Sequence, residues 1–169
     1  MISAAQFEKS KEAERAFEAW LKREGFAYLA ICQNDRQFAP LFQGNLKRPD
    51  FLVLLESIGM IAVDVKAYTL TRGEYTLPYE TEFRLAMTFE RVFRLPVWYA
   101  YWNEEMGGAH WISALKAVEV GDLRENRKEK KAFFAINLKH FEWIETNMDF
   151  GKLYTQRLPA LGKIKSAEI

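Results

Sequence analysis

One cysteine, Cys32, stands among 169 residues. No intramolecular disulfide can form, and a reducing compartment is implied. Cys32 closes an apolar run over residues 28–32 and is expected to be a buried structural thiol. Histidine is nearly as scarce. His110 and His140 are the only two, and neither has metal-ligand spacing to the other or to Cys32, which argues against zinc. No glycine-rich phosphate loop is present and no serine occupies a nucleophile elbow, so P-loop nucleotide hydrolysis and α/β-hydrolase chemistry are set aside. No run approaches the ~20 apolar residues of a membrane span. The opening MISAAQFEKSKEAER carries charges where a secretory signal needs an apolar stretch. Excess charge is missing too: the formal net charge is +1, so any grip on nucleic acid must come from local clusters of cations. These absences predict a soluble cytoplasmic protein with no membrane association.

What is present suits a single domain over 1–169, with a core over about 3–120 and a C-terminal extension over about 121–169. The chain is long enough for a full hydrophobic core. Aromatic residues reach 15%; most fall in apolar runs and are expected in the core, with some free to stack on bases or a partner.

Helical spacing of Phe7, Ala13, Phe17, Trp20 and Leu21 predicts an amphipathic helix over 3–24, with Ser3 and Gln6 as a capping box and Gly25 as its stop. A strand is expected over 26–32, then a loop over 33–47 holding Pro40 and Gly44. Two strands follow, joined by a turn at Ser57-Ile58-Gly59. Residues 69–78 read as a turn region around Gly73, 79–93 as a helix and 97–102 as a strand. Residues 103–109 read as a turn, 111–120 as strand-like with a break, and 121–131 as a polar loop or short helix. A last strand is expected over 133–138, and poor order from 147 onward. The fold class is therefore α/β, a mixed β-sheet flanked by helices in the order α-β-β-β-α-β.

The most informative stretch is RPDFLVLLESIGMIAVDVKAY, residues 48–68. Asp50 opens its first strand; Asp64 sits late in the second, with Lys66 two residues on. Side chains alternate along a strand, so Asp64 and Lys66 project with Ala62 while Ile61, Val63 and Val65 point the other way. An acid and an amine at the centre of an apolar strand cost desolvation unless they pair or hold something else. A divalent metal and a phosphate meet that need. Mg²⁺ or Mn²⁺ takes oxygen ligands from one or two carboxylates, waters and a substrate phosphate. Asp50 and Asp64 can converge on one ion, the Val65 carbonyl can add an oxygen, and Lys66 can orient or help deprotonate the attacking water and stabilise developing charge.

The pairing of Pro49-Asp50 with Asp64-Val65-Lys66 across a hairpin-length gap resembles the PD-(D/E)XK nuclease superfamily, which includes type II restriction enzymes and Holliday junction resolvases. The likeness covers residues 3–102. It implies a restriction endonuclease-like core and metal-dependent hydrolysis of phosphodiester bonds, with DNA a better expectation than RNA. It also implies a metal-completing glutamate on the first helix. Glu14 holds the matching place relative to Gly25, and Glu18 is its competitor. A homodimer is implied if both strands of a duplex are cut.

Other readings stand beside this one. Pro49-Asp50 also suits a strand-entry turn in which Asp caps a backbone amide. Asp64 and Lys66 also suit an ion pair on a solvated sheet face. Lys47 and Arg48 are candidates to touch nucleic-acid phosphates, as are Arg124, Arg127 and Lys128, although the interleaved Glu125 and Glu129 also fit a solvated helix face. Glu82 and Arg84 begin the helix after Lys66, and nothing in their spacing singles out either. The alternative to an enzyme is a catalytically silent module of the same fold that binds nucleic acid or a protein partner.

Overall fold

The computed structural model describes residues 4–31, 46–56 and 59–153. The expected Ser3–Gln6 capping box, Cys32, most of the expected 33–47 loop and the Ser57-Ile58 part of the hairpin turn lie outside that description. So does the chain from 154 onward.

Helix α1 (Ala4–Arg23) buries Ala13, Phe17, Trp20 and Leu21, one stripe at three- and four-residue spacing. It closes at Gly25, whose φ of 76° lies in the left-handed region. The Phe26 amide donates to the Leu21 carbonyl (3.0 Å) and the Gly25 amide to that of Lys22 (3.2 Å), a Schellman closure that a residue without Cβ enters freely. Phe7, expected on the apolar stripe, is instead exposed. It precedes the first buried position by nearly two turns and borders a cleft rather than the core.

Strands β1 (Ala27–Ala30), β2 (Phe51–Leu55) and β3 (Gly59–Lys66) form an antiparallel meander. The chain then makes β4 (Glu74–Pro78), a π-helical turn (Tyr79–Phe83) and helix α2 (Arg84–Phe93) before returning as β5 (Val97–Asn103), parallel to β3. Strand β6 (Gly108–Ser113), helix α3 (Ala114–Val120), the hairpin β7 (Asp122–Asn126) and β8 (Lys131–Asn137), and β9 (Glu142–Ile144) complete the order. One sheet runs β1-β2-β3-β5-β6-β9 and a second runs β4-β8-β7. The class is α/β, with a six-stranded mixed sheet and a three-stranded sheet flanked by helices. Among the described residues no helix is long and apolar enough to cross a membrane.

Four segments differ from their sequence reading. Residues 74–78 are a strand rather than part of a turn region, because Tyr75 and Leu77 find their cover on β8, far along the chain. Residues 111–120 divide into strand and helix at Ser113, whose hydroxyl accepts the Lys116 amide (3.0 Å) as an N-cap. Residues 122–126 pair as an edge strand although every side chain is exposed, so no alternation of apolar residues marks them. Residues 147–151 form a helical turn, with Phe150 and Leu153 buried against α1 and the main sheet.

Both faces of β3 are covered. Ile61, Val63 and Val65 pack with Phe17, Phe51 and Trp111 on the α1 side. Ala62 packs with Tyr99, Phe83 and Phe89 on the α2 side. Asp64 and Lys66 share the second face and are 3% and 5% exposed, so the solvated-face reading of this pair does not hold. Phe17, fully buried among the rings of Trp20, Phe51, Trp102 and Trp111, fastens α1 to the sheet. Phe17→Ala is expected to cost about 3–5 kcal/mol of unfolding free energy, read as a shift of the urea midpoint at unchanged slope.

Candidate active site

The β2–β3 register pairs Phe51 with Val63, and the Asp50 amide donates to the Val63 carbonyl (2.9 Å), so Asp50 enters the ladder opposite Asp64. One Asp50 oxygen accepts the Val65 amide (2.7 Å). The capping role weighed for Asp50 is thus real, and it fixes that carboxylate beside Asp64. The Val65 backbone is held by this bond, and the residue lines the same cleft.

The parallel β3–β5 pairing sets Tyr99 beside Asp64 and Tyr101 beside Lys66. Lys66 Nζ lies 5.7 Å from the Tyr99 ring centroid and 5.9 Å from that of Tyr68, within cation–π reach. It stands 2.6 Å from Asp64 Oδ2, without the alignment of a directed hydrogen bond. Lys47 Nζ approaches the other Asp64 oxygen at 3.2 Å. Glu82, from the π-helical turn, contacts both ammonium groups. Two acids and two amines thus close a ring.

These groups wall an open cleft of about 680 Å³, together with Glu14, Lys9, Lys11 and Arg48. Glu14 pairs with Lys11 (2.6 Å), and its charge is felt at Asp50. Glu18 pairs instead with Lys22 (3.0 Å) and accepts from the Tyr28 hydroxyl (2.9 Å). Of the two helix glutamates, Glu14 lines this cleft. Arg124 forks onto Glu74 (2.7 and 2.9 Å) and reaches Asp122 (3.1 Å). Arg127 and Lys128 lie in the turn between β7 and β8. None of these three lines the cleft, and their segment is a β-hairpin rather than a loop or helix.

Burial pushes the Asp50 carboxyl up to about 8, helped by the charges of Asp64 and Glu14. Burial alone would raise Asp64 as well, but Lys47 and Lys66 outweigh it and hold Asp64 below the usual carboxylate range. Lys66 is the mirror case: burial favours the neutral amine, and Asp64 and Glu82 overcome it, so the ammonium persists well above its ordinary range. Lys66 therefore carries a proton to give or share and has no free lone pair to act as a base.

The donors suit a hard divalent cation of the Mg²⁺ type. Asp50 and Asp64 crowd together, and one Asp64 oxygen lacks a directed donor although buried. Among the described residues no three acids, histidines or cysteines form a ready-made cage. Mg²⁺ needs no such cage, being held by one or two carboxylates with water and phosphate.

Glu82 is the member that sequence reasoning did not single out. It lies on a crossover connection, and only the fold brings it to Lys66. Arg84, weighed beside it, points to solvent and pairs with Glu80 (2.7 Å).

No family model matches the chain and no curated protein matches it. Among solved structures it is similar to D212, a nuclease from a fusselovirus, at 12% identity and a TM-score of 0.47 over 94% of this chain and 97% of that one.

Asp50 keeps in the folded state a proton that the unfolded chain loses near pH 4, so metal-free stability falls as pH rises from about 4 to about 8. Asp50→Asn removes that loss. The variant is expected to be more stable than the parent by about 1–3 kcal/mol at pH 8 in chelator, with the gap closing toward pH 4. Thermal or urea melts across that range measure it.

Proposed function

We propose that the protein is a Mg²⁺- or Mn²⁺-dependent nuclease of the PD-(D/E)XK type, hydrolysing phosphodiester bonds. The observation that carries this reading is the buried Asp64–Lys66 pair, set beside Asp50 and opening on a cleft whose walls hold Glu14 and several cations. An ion pair kept only for stability gains little from burial at a cleft wall, where desolvation works against it. A site that must meet a phosphate gains from both charges.

Asp50 and Asp64 would hold the metal, the Val65 carbonyl and Glu14 completing its oxygen shell. When bound, the ion supplies Lewis acidity toward a phosphate oxygen and acidifies a water. Lys66, fixed as an ammonium, donates to the attacking water or to a phosphate oxygen and offsets the charge that builds as phosphorus becomes five-coordinate. Its place on a paired strand keeps it oriented before substrate arrives. With Lys66 already protonated and Glu14 assigned to the metal, the proton that the water loses passes to solvent at the open cleft. Lys9, Lys11, Lys47 and Arg48 on the cleft walls meet the backbone of the substrate. The family resemblance makes DNA the first substrate to test.

The test is cleavage of linear and supercoiled duplex, single-stranded DNA, branched junctions and RNA, with Mg²⁺, Mn²⁺ or chelator. Cutting that requires metal is expected on at least one DNA. Lys66→Met is expected to reduce the rate by about 10²–10³-fold while Mn²⁺ still binds, as loss of a single charge-stabilising donor does. Unchanged cutting by Lys66→Met or Asp64→Asn would refute the assignment. Metal binding with no cutting on any substrate would favour the silent nucleic-acid-binding module.

A further inference from the structure

The two lysines of the ring are not equivalent. The Lys66 side chain is 6% exposed and rises from the middle of a sheet, locked between Asp64, Glu82 and the Tyr99 ring. The Lys47 side chain is 24% exposed and rises from a segment without regular structure at the cleft mouth. Its backbone is tied to α2 by a bond from its amide to the Leu85 carbonyl (3.3 Å). Its ammonium bridges Asp64 and Glu82. Lys47 therefore neutralises the Asp64 oxygen that Lys66 leaves.

We infer that Lys47 is an exchangeable internal counter-ion, which screens Asp64 while the site is metal-free and moves to a substrate phosphate when a divalent cation takes its place. This rests on the metal-site reading above and assigns Lys47 a role on both sides of the exchange. A divalent cation at Asp64 adds its charge to the two ammonium groups already there, and of these Lys47, the more exposed, is the one with a path outward. Glu82 gives it a pivot: with one contact broken and the other kept, the ammonium stays at the cleft and turns toward the entering backbone. Lys66 cannot make that move without leaving its strand. The exchange couples the two binding events, since metal frees the lysine that phosphate then occupies.

The coupling has opposite signs in its two halves, which sets it apart from a merely structural lysine. Lys47→Met removes a cation that competes with metal, so Mn²⁺ is expected to bind about tenfold more tightly by calorimetric titration. The same variant loses a phosphate contact. A short fluorescent duplex, read by anisotropy in Ca²⁺ (a larger ion of more flexible coordination), is expected to bind about tenfold more weakly, with a salt slope reduced by about 1. Lys47→Arg keeps the charge and is expected to track the parent in both measurements, which separates charge from folding defects. Equal or weaker Mn²⁺ binding by Lys47→Met, beside a parent that binds Mn²⁺, overturns the exchange and leaves the nuclease reading intact. Duplex binding unchanged by Lys47→Met also overturns it. A parent that binds no divalent ion overturns both readings.

Discussion

Everything at this site depends on keeping charge stable where water is nearly absent. Asp64 and Lys66 are each almost wholly buried, and an isolated carboxylate or ammonium there would shed its charge. Neither does, because Lys47 and Glu82 complete an alternating ring in which each group faces opposite charge on two sides. Remove one member and each neighbour keeps a single partner, so the buried cluster is left with a net charge. The ring is thus a single unit, and the fold around it is organised to bring its four members together.

That demand explains the topology. Asp64 and Lys66 come from one strand, and any hairpin could supply them. Glu82 comes from the connection between two parallel strands, and such a connection must cross the sheet face before it returns. Laying the π-helical turn and α2 over the α2-side face of β3 places Glu82 above Lys66 and also excludes water with Phe83 and Phe89. Lys47 comes from the segment just before β2, tied by its backbone to Leu85 on the same helix. Helix α1 covers the other face and brings Glu14 to the cleft. Three separate chain segments thus converge on one strand.

How far this was legible follows from where each signal resides. That Asp50, Asp64, Lys66 and Glu14 meet at one cleft was readable because strand alternation and helix periodicity are local, and because their spacing resembles a known pattern. Glu14 and Glu18 lie four residues apart on one helix face, so the preference for Glu14 rests on its place relative to Gly25 in the family resemblance; the structure sets Glu18 against Lys22 and Tyr28. Glu82 was not readable, since its partner lies sixteen residues away across a crossover with no fixed geometry in sequence. Strand β7 was hidden for a related reason: its ladder is made with β8, and its exposed side chains carry no periodic mark. The basic residues Arg124, Arg127 and Lys128 drew attention as a cluster, yet Arg124 is consumed by Glu74 and Asp122.

Net charge illustrates the same point from the other side. A total of +1 suggests indifference to nucleic acid, but an average over the whole surface says little about a concave wall. Around the cleft stand Lys9, Lys11, Lys47, Arg48 and Lys66, opposed by Glu14, Asp50, Asp64 and Glu82. With Asp50 protonated at neutral pH, positive charge exceeds negative there until a rise in pH or an entering cation takes the Asp50 proton, and a phosphate site of the kind proposed needs both signs. Acids alone would hold a metal and repel the substrate; bases alone would bind the substrate with nothing to polarise it. With Asp50 held at about 8, the acid side can shed or take up charge near neutral pH, and the cleft can shift its balance as cations enter and leave. A protein built only to bind a polyanion has no reason to maintain such a poise, and a buried strand pair built only for stability has no reason to adjoin a cleft.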